Sequence, residues 1–84
     1  MTNQVPDVMV VDLKMSHLDG LEVLRQVKQK HPDVQVIILT GYGSFQDKLK
    51  AISLGAFAFM EKPLDFDELV RTIKAAYQEK HSQQ

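Results

Sequence analysis

The chain has 84 residues, 44% hydrophobic and 25% charged, with a net charge of −1 and no cysteine. That describes one small globular domain and excludes disorder, disulfides and zinc–thiolate centres. Charges of both signs are interspersed and no apolar run approaches the roughly 20 residues of a membrane span, so neither nucleic-acid nor membrane binding is expected. The start Met1-Thr2-Asn3-Gln4 lacks the basic and apolar regions of a signal peptide, and a cytoplasmic location is the expectation.

Pro6-Asp7 punctuates the entry to Val8-Met9-Val10-Val11-Asp12, an apolar run that reads as a strand buried on both faces. A polar loop follows, and Asp19 is the expected N-cap of a helix. Leu21, Leu24 and Val27 recur at three-residue spacing with Val23 alongside, which predicts an amphipathic helix ended by Pro32. The second strand is expected over 35–39, stopping at Thr40 before Gly41-Tyr42-Gly43. Ser44 and Asp47 resemble a capping box for a second helix, whose apolar face is Phe45, Leu49 and Ile52 and whose end is Gly55. A third strand over 57–60 leads into Glu61-Lys62-Pro63. Asp65 and Glu68 then open a third helix along Phe66, Leu69, Val70, Ile73 and Tyr77, and 81–84 are expected to form a disordered tail. The order βαβαβα, with short connections, predicts an α/β fold on a parallel sheet.

The three strand ends are Asp12, Thr40 and Lys62: a carboxylate, a hydroxyl and an ammonium. In a parallel sheet all three fall on one edge, the edge where open α/β folds place their chemistry. A carboxylate can attack a phosphoryl group, and an ammonium and a hydroxyl can neutralise and hydrogen-bond its oxygens. Singly, each residue has a plainer explanation as a turn, cap or solvated side chain. The informative feature is their joint occurrence at successive strand ends. His17, His31 and His81 lack metal-ligand spacing and read as surface residues.

Asp12-Leu13-Lys14-Met15 through Leu18-Asp19-Gly20, Leu39-Thr40-Gly41, Gly55-Ala56 and Phe59-Met60-Glu61-Lys62-Pro63 together resemble the response-regulator receiver domain of two-component signalling. The resemblance implies a three-layer, flavodoxin-like receiver fold. It makes Asp12 the phosphoacceptor, Thr40 and Lys62 the phosphate contacts, and Thr40 and Phe59 the switch residues. It makes Asp12 and the Lys14 backbone carbonyl ligands of Mg²⁺, and the Lys62-Pro63 bond cis. It names a histidine kinase or phosphotransfer protein as partner.

Receivers of this kind have five strands in the order 2-1-3-4-5, and residues 1–84 correspond to the last three: a single, partial receiver domain. The acidic pair that family members carry after their first strand has no counterpart here, so Mg²⁺ binding is expected to be weakened. Asp7 lies at the wrong end of its strand to replace that pair, and Ser16 stands where a proline is usual. The unpaired Val8–Val11 edge and a third helix partly uncovered at Leu69, Val70 and Ile73, with Ala76 beside them, predict self-association.

The leading expectation is therefore a phosphoacceptor module that signals through its later helices. A receiver remnant that binds partners without being phosphorylated is the alternative. An aspartyl phosphatase of the haloacid-dehalogenase type would need an acid two residues after the nucleophile. Lys14 stands there, so the chain is not expected to be an enzyme.

Overall fold

The computed structural model describes residues 6–13, 20–41 and 45–82. Strands β1 (Val8–Asp12), β2 (Gln35–Thr40) and β3 (Ala58–Glu61) alternate with helices α1 (Gly20–Lys30), α2 (Phe45–Ser53) and α3 (Phe66–Ser82). The sheet is parallel throughout, in the order β1-β2-β3. Val8 pairs with Gln35 and Asp12 with Leu39 in the first ladder, and Ile37 with Ala58 and Thr40 with Glu61 in the second.

Because side chains alternate along each strand, the sheet feeds two cores. Val11, Leu13, Val36 and Ile38 pack with Leu24 of α1 and Ala51 of α2 on one side. Ile37 and Met60 pack with Ala76 of α3 on the other. The result is three layers, with two helices above the sheet and one below it. Ala76, expected to be partly uncovered, is fully buried, because α3 lies directly over Ile37 on the central strand.

Helix ends follow their local chemistry. Asp65 Oδ1 accepts from the Asp67 and Glu68 N–H groups at 2.9 and 3.3 Å, an N-cap at α3. At the end of α2, Ala56 N–H donates to the Ala51 carbonyl and Gly55 N–H to that of Ile52, both at 3.0 Å. That is the paired-bond helix stop, and Gly55 sits at φ 103°, where a side chain would be strained. The expected caps Asp19 and Ser44 lie outside the described residues.

Two placements differ from expectation. The Phe45, Leu49 and Ile52 stripe does not enter the core: these residues are 73%, 54% and 47% exposed. Small Ala51 and half-buried Leu54 face the sheet instead. Helix α3 also continues through His81 to Ser82, into the expected tail. The His81 ring lies 4.3 Å from that of Tyr77, and its Nε2 lies 3.5 Å from Asp7 Oδ2.

Lys80 Nζ donates to Asp7 Oδ1 at 2.6 Å, tying the end of α3 to the start of β1. The Lys80 hydrogen bond holds the Asp7 carboxyl below its ordinary value of 3.8, with His81 adding to it. Asp7 in turn raises the Lys80 ammonium. A depressed carboxyl contributes stability in full above its unfolded value and loses it as pH falls through the folded one. A raised ammonium contributes below its unfolded value and loses it only at strongly alkaline pH. Partial exposure keeps the contribution small and salt-sensitive. Thermal melts of the wild type and Asp7→Asn should therefore converge as pH falls below 3.8. A gap that persists unchanged into acid would rule this clamp out.

Candidate functional site

The carboxyl edge of the sheet gathers the three strand-end side chains. β1 delivers Asp12 at its last residue and β2 delivers Thr40 at its last residue. β3 ends at Glu61, one residue before Lys62, yet the pairing carries on: Lys62 N–H donates to the Thr40 carbonyl at 2.7 Å. That bond fixes where the lysine leaves the sheet. Its stem then passes Gly41, where an added Cβ would stand 4.0 Å from Lys62 Cδ.

Lys62 Nζ reaches Asp12 Oδ2 at 2.5 Å, joining residues fifty apart in sequence. Both side chains are partly exposed, so this ion pair contributes under about 1 kcal/mol to stability. Thr40 is fully buried beside them. Among the described residues no buried side-chain N or O atom lacks a partner, so this polar edge is satisfied as it stands. Phe59 pairs with Ile38 in the ladder and is half-buried on the α1 and α2 side of the sheet. The peptide bond Lys62-Pro63 is cis.

Gly20 was not singled out as a site residue from the sequence, yet it sets the approach of α1 to this edge. A Cβ there would lie 2.7 Å from Leu13 Cα and 2.9 Å from the Asp12 carbonyl oxygen, inside van der Waals contact with backbone. Gly20 N–H instead donates to the Leu13 carbonyl at 3.2 Å. The Asp-Gly pair at the helix start was the available signal. Lys28 was missed too. Its Nζ donates to the carbonyls of Pro32 and Val34 at 2.8 Å each, closing the turn from α1 into β2. Burial lowers its pKa, opposed in part by Asp33.

Whether the edge can hold a cation depends on its donors. Asp12 offers one carboxylate and is already paired with Lys62; the Lys14 carbonyl lies outside the described residues. Among the described residues no group of three or more His, Cys, Asp or Glu is placed to hold a metal ion. Among the described residues, Asp12 is thus the one carboxylate at this edge that could face a hard cation, which takes its remaining oxygens from phosphate, water and further protein groups.

The response regulator receiver domain model matches residues 1–74. The chain is 38% identical over all 84 residues to the DNA-binding transcriptional regulator NtrC of Klebsiella pneumoniae, spanning 18% of that protein. It is 37% identical over 79 residues to the transcriptional regulatory protein ZraR of Escherichia coli (strain K12), covering 94% of this chain and 18% of that one. Among solved structures, the beryllofluoride-activated NtrC4 receiver domain dimer aligns with a TM-score of 0.85 at 38% identity, over 92% of this chain and 64% of that one. A CheY-like receiver domain protein from Methanospirillum hungatei JF-1 aligns with a TM-score of 0.92 at 26% identity, over 98% and 66%. With the family match running across most of its length and the same fold recurring in those structures, the chain belongs to the response regulator receiver domain family.

Proposed function

We propose that this chain is a phosphoacceptor of two-component signalling, taking a phosphoryl group on Asp12 from a histidine kinase or phosphotransfer protein. The observation that carries the proposal is the 2.5 Å contact between Lys62 Nζ and Asp12 Oδ2 beside buried Thr40. A carboxylate oxygen of Asp12 forms a bond to phosphorus as the P–N bond of the donor phosphohistidine breaks, and the imidazole leaves with the electron pair. Lys62 then moves its hydrogen bond from the carboxylate to a phosphoryl oxygen, and the Thr40 hydroxyl donates to another. Mg²⁺, which receiver domains bind, supplies further charge neutralisation when present. Asp12 and the Lys14 carbonyl are the groups proposed to touch it, and binding by residues 1–84 alone is expected to be weak. The chain is read as cytoplasmic and as a signalling module rather than an enzyme; no described helix is long and apolar enough to cross a membrane.

Readout is proposed through α2 and α3, coupled to the site by Thr40 and Phe59. The exposed Phe45, Leu49 and Ile52 stripe gives α2 a surface that a partner could cover. That exposed stripe also favours a second reading, in which the module binds partners without being phosphorylated.

Beryllofluoride with Mg²⁺ tests between the two, since it imitates the acyl phosphate without covalent turnover. Amide resonances of Thr40, Phe59 and α2 should shift in the wild type and stay fixed in Asp12→Asn. An unchanged wild-type spectrum at saturating reagent would favour the second reading.

A further inference from the structure

Among the described glycines, only Gly20 meets backbone where a side chain would stand. A Cβ at Gly41 would have Lys62 Cδ 4.0 Å away, and one at Gly55 would meet the flexible stem of Lys28 at 3.0 Å. At Gly20 the nearest atoms are Leu13 Cα at 2.7 Å, the Asp12 carbonyl oxygen at 2.9 Å and the Leu13 carbonyl oxygen at 3.0 Å. Non-bonded carbons rest about 3.5–4.0 Å apart, so a methyl group there would displace one side of the contact by about an ångström.

Neither side is free to yield. Leu13 N–H donates to the Leu39 carbonyl at 2.7 Å, and the Leu13 carbonyl accepts from Gly20 N–H at 3.2 Å. The Leu13 side chain is buried in the cluster that holds Leu24 of α1. Asp12 is the last residue of β1, in register with Leu39, and its carboxylate reaches Lys62 Nζ at 2.5 Å. The Asp12–Leu13 peptide is therefore gripped by β2 on one side and by the first residue of α1 on the other. That peptide aims the carboxylate.

We propose that Gly20 is a positioning residue for phosphoryl transfer at Asp12, a role that rests on the function proposed above. Its bare Cα lets α1 begin in contact with the Asp12–Leu13 peptide, and this contact keeps the carboxylate within reach of Lys62. Gly20 supplies no atom to the reaction; it acts through the backbone of the residue that attacks. Such placement matters because a misplacement of about 1 Å can cost about a hundredfold in rate. A glycine needed only for packing would change stability and leave the rate of the folded protein alone.

Gly20→Ala separates the two roles. With acetyl phosphate and Mg²⁺, its maximal labelling rate per folded molecule should fall at least tenfold, with the half-saturating concentration little changed. The Asp12 ¹³Cγ resonance should move toward the position it takes in Lys62→Met, because both variants disturb the ion pair. Ile37→Ala, destabilised from the opposite face of the sheet, should keep the wild-type rate per folded molecule and the wild-type Asp12 resonance. If the wild type labels and Gly20→Ala labels equally fast, the proposal is overturned while the reading beneath it stands. A slow Gly20→Ala whose Asp12 resonance has not moved overturns it too. Should Gly20→Ala not fold, the wild type decides. Its Leu13 and Gly20 amides should resist hydrogen exchange, and should shift together with Thr40 when beryllofluoride and Mg²⁺ are added. A shift at Thr40 without them overturns the proposal alone. A wild type that neither labels nor shifts overturns the underlying reading, and the proposal with it.

Discussion

Lys62→Met is expected to slow phosphoryl uptake by about a hundredfold, the usual loss when one preorganised donor to a developing negative charge is removed. Stability should barely change, because the Lys62 and Asp12 side chains are partly exposed and an exposed ion pair contributes under about 1 kcal/mol. Methionine keeps most of the stem that passes Gly41, so the substitution isolates the charge. Initial rates with acetyl phosphate and Mg²⁺, alongside a thermal melt, measure both quantities. A variant that labels at the wild-type rate would remove Lys62 from the mechanism. One that melts far below the wild type would make it a structural residue instead.

The second large effect belongs to the core. Ile37 is fully buried at the centre of β2, with Met60 and Ala76 around it in the smaller of the two clusters. Ile37→Ala removes buried methylene and methyl groups and leaves a cavity, which costs about 2–5 kcal/mol. Small domains hold only about 5–15 kcal/mol in total, so this one substitution consumes much of the margin. Urea unfolding should show a lower midpoint for Ile37→Ala. Val10→Ala, on the open edge, should change it by well under half as much. Equal shifts would mean that the α3 side is not packed as described.

These expectations rest on features that differed in how legible they were. The three strands and the parallel sheet could be read from the apolar runs over 8–12, 35–39 and 57–60, but burial on both faces, expected of β1, holds for β2 alone: Val10 of β1 is 40% exposed. The convergence of Asp12, Thr40 and Lys62 could also be read, since parallel strands put their ends on one edge.

The inward face of α2 could not. Phe45, Leu49 and Ile52 form the stronger hydrophobic stripe, and periodicity reports a stripe without saying what packs on it. Ala51 faces the sheet because its small side chain fits closely there, and Leu54 completes that contact. β3 is assigned from Ala58, one residue after the expected start, yet Phe57 N–H already donates to the Val36 carbonyl at 2.7 Å, so pairing with β2 begins where the apolar run does. The Asp7–Lys80 pair joins residues 73 apart, and only the fold brings them together.

The position of the phosphoryl group reports the chemistry of this edge most directly. The chain, incubated with acetyl phosphate and Mg²⁺, should gain a single acid-stable, base-labile phosphoryl group, and mass spectrometry should locate it on Asp12. Incorporation should fall to background in Asp12→Asn. Labelling that persists in Asp12→Asn, or that maps to a residue away from the carboxyl edge of the sheet, would contradict that chemistry.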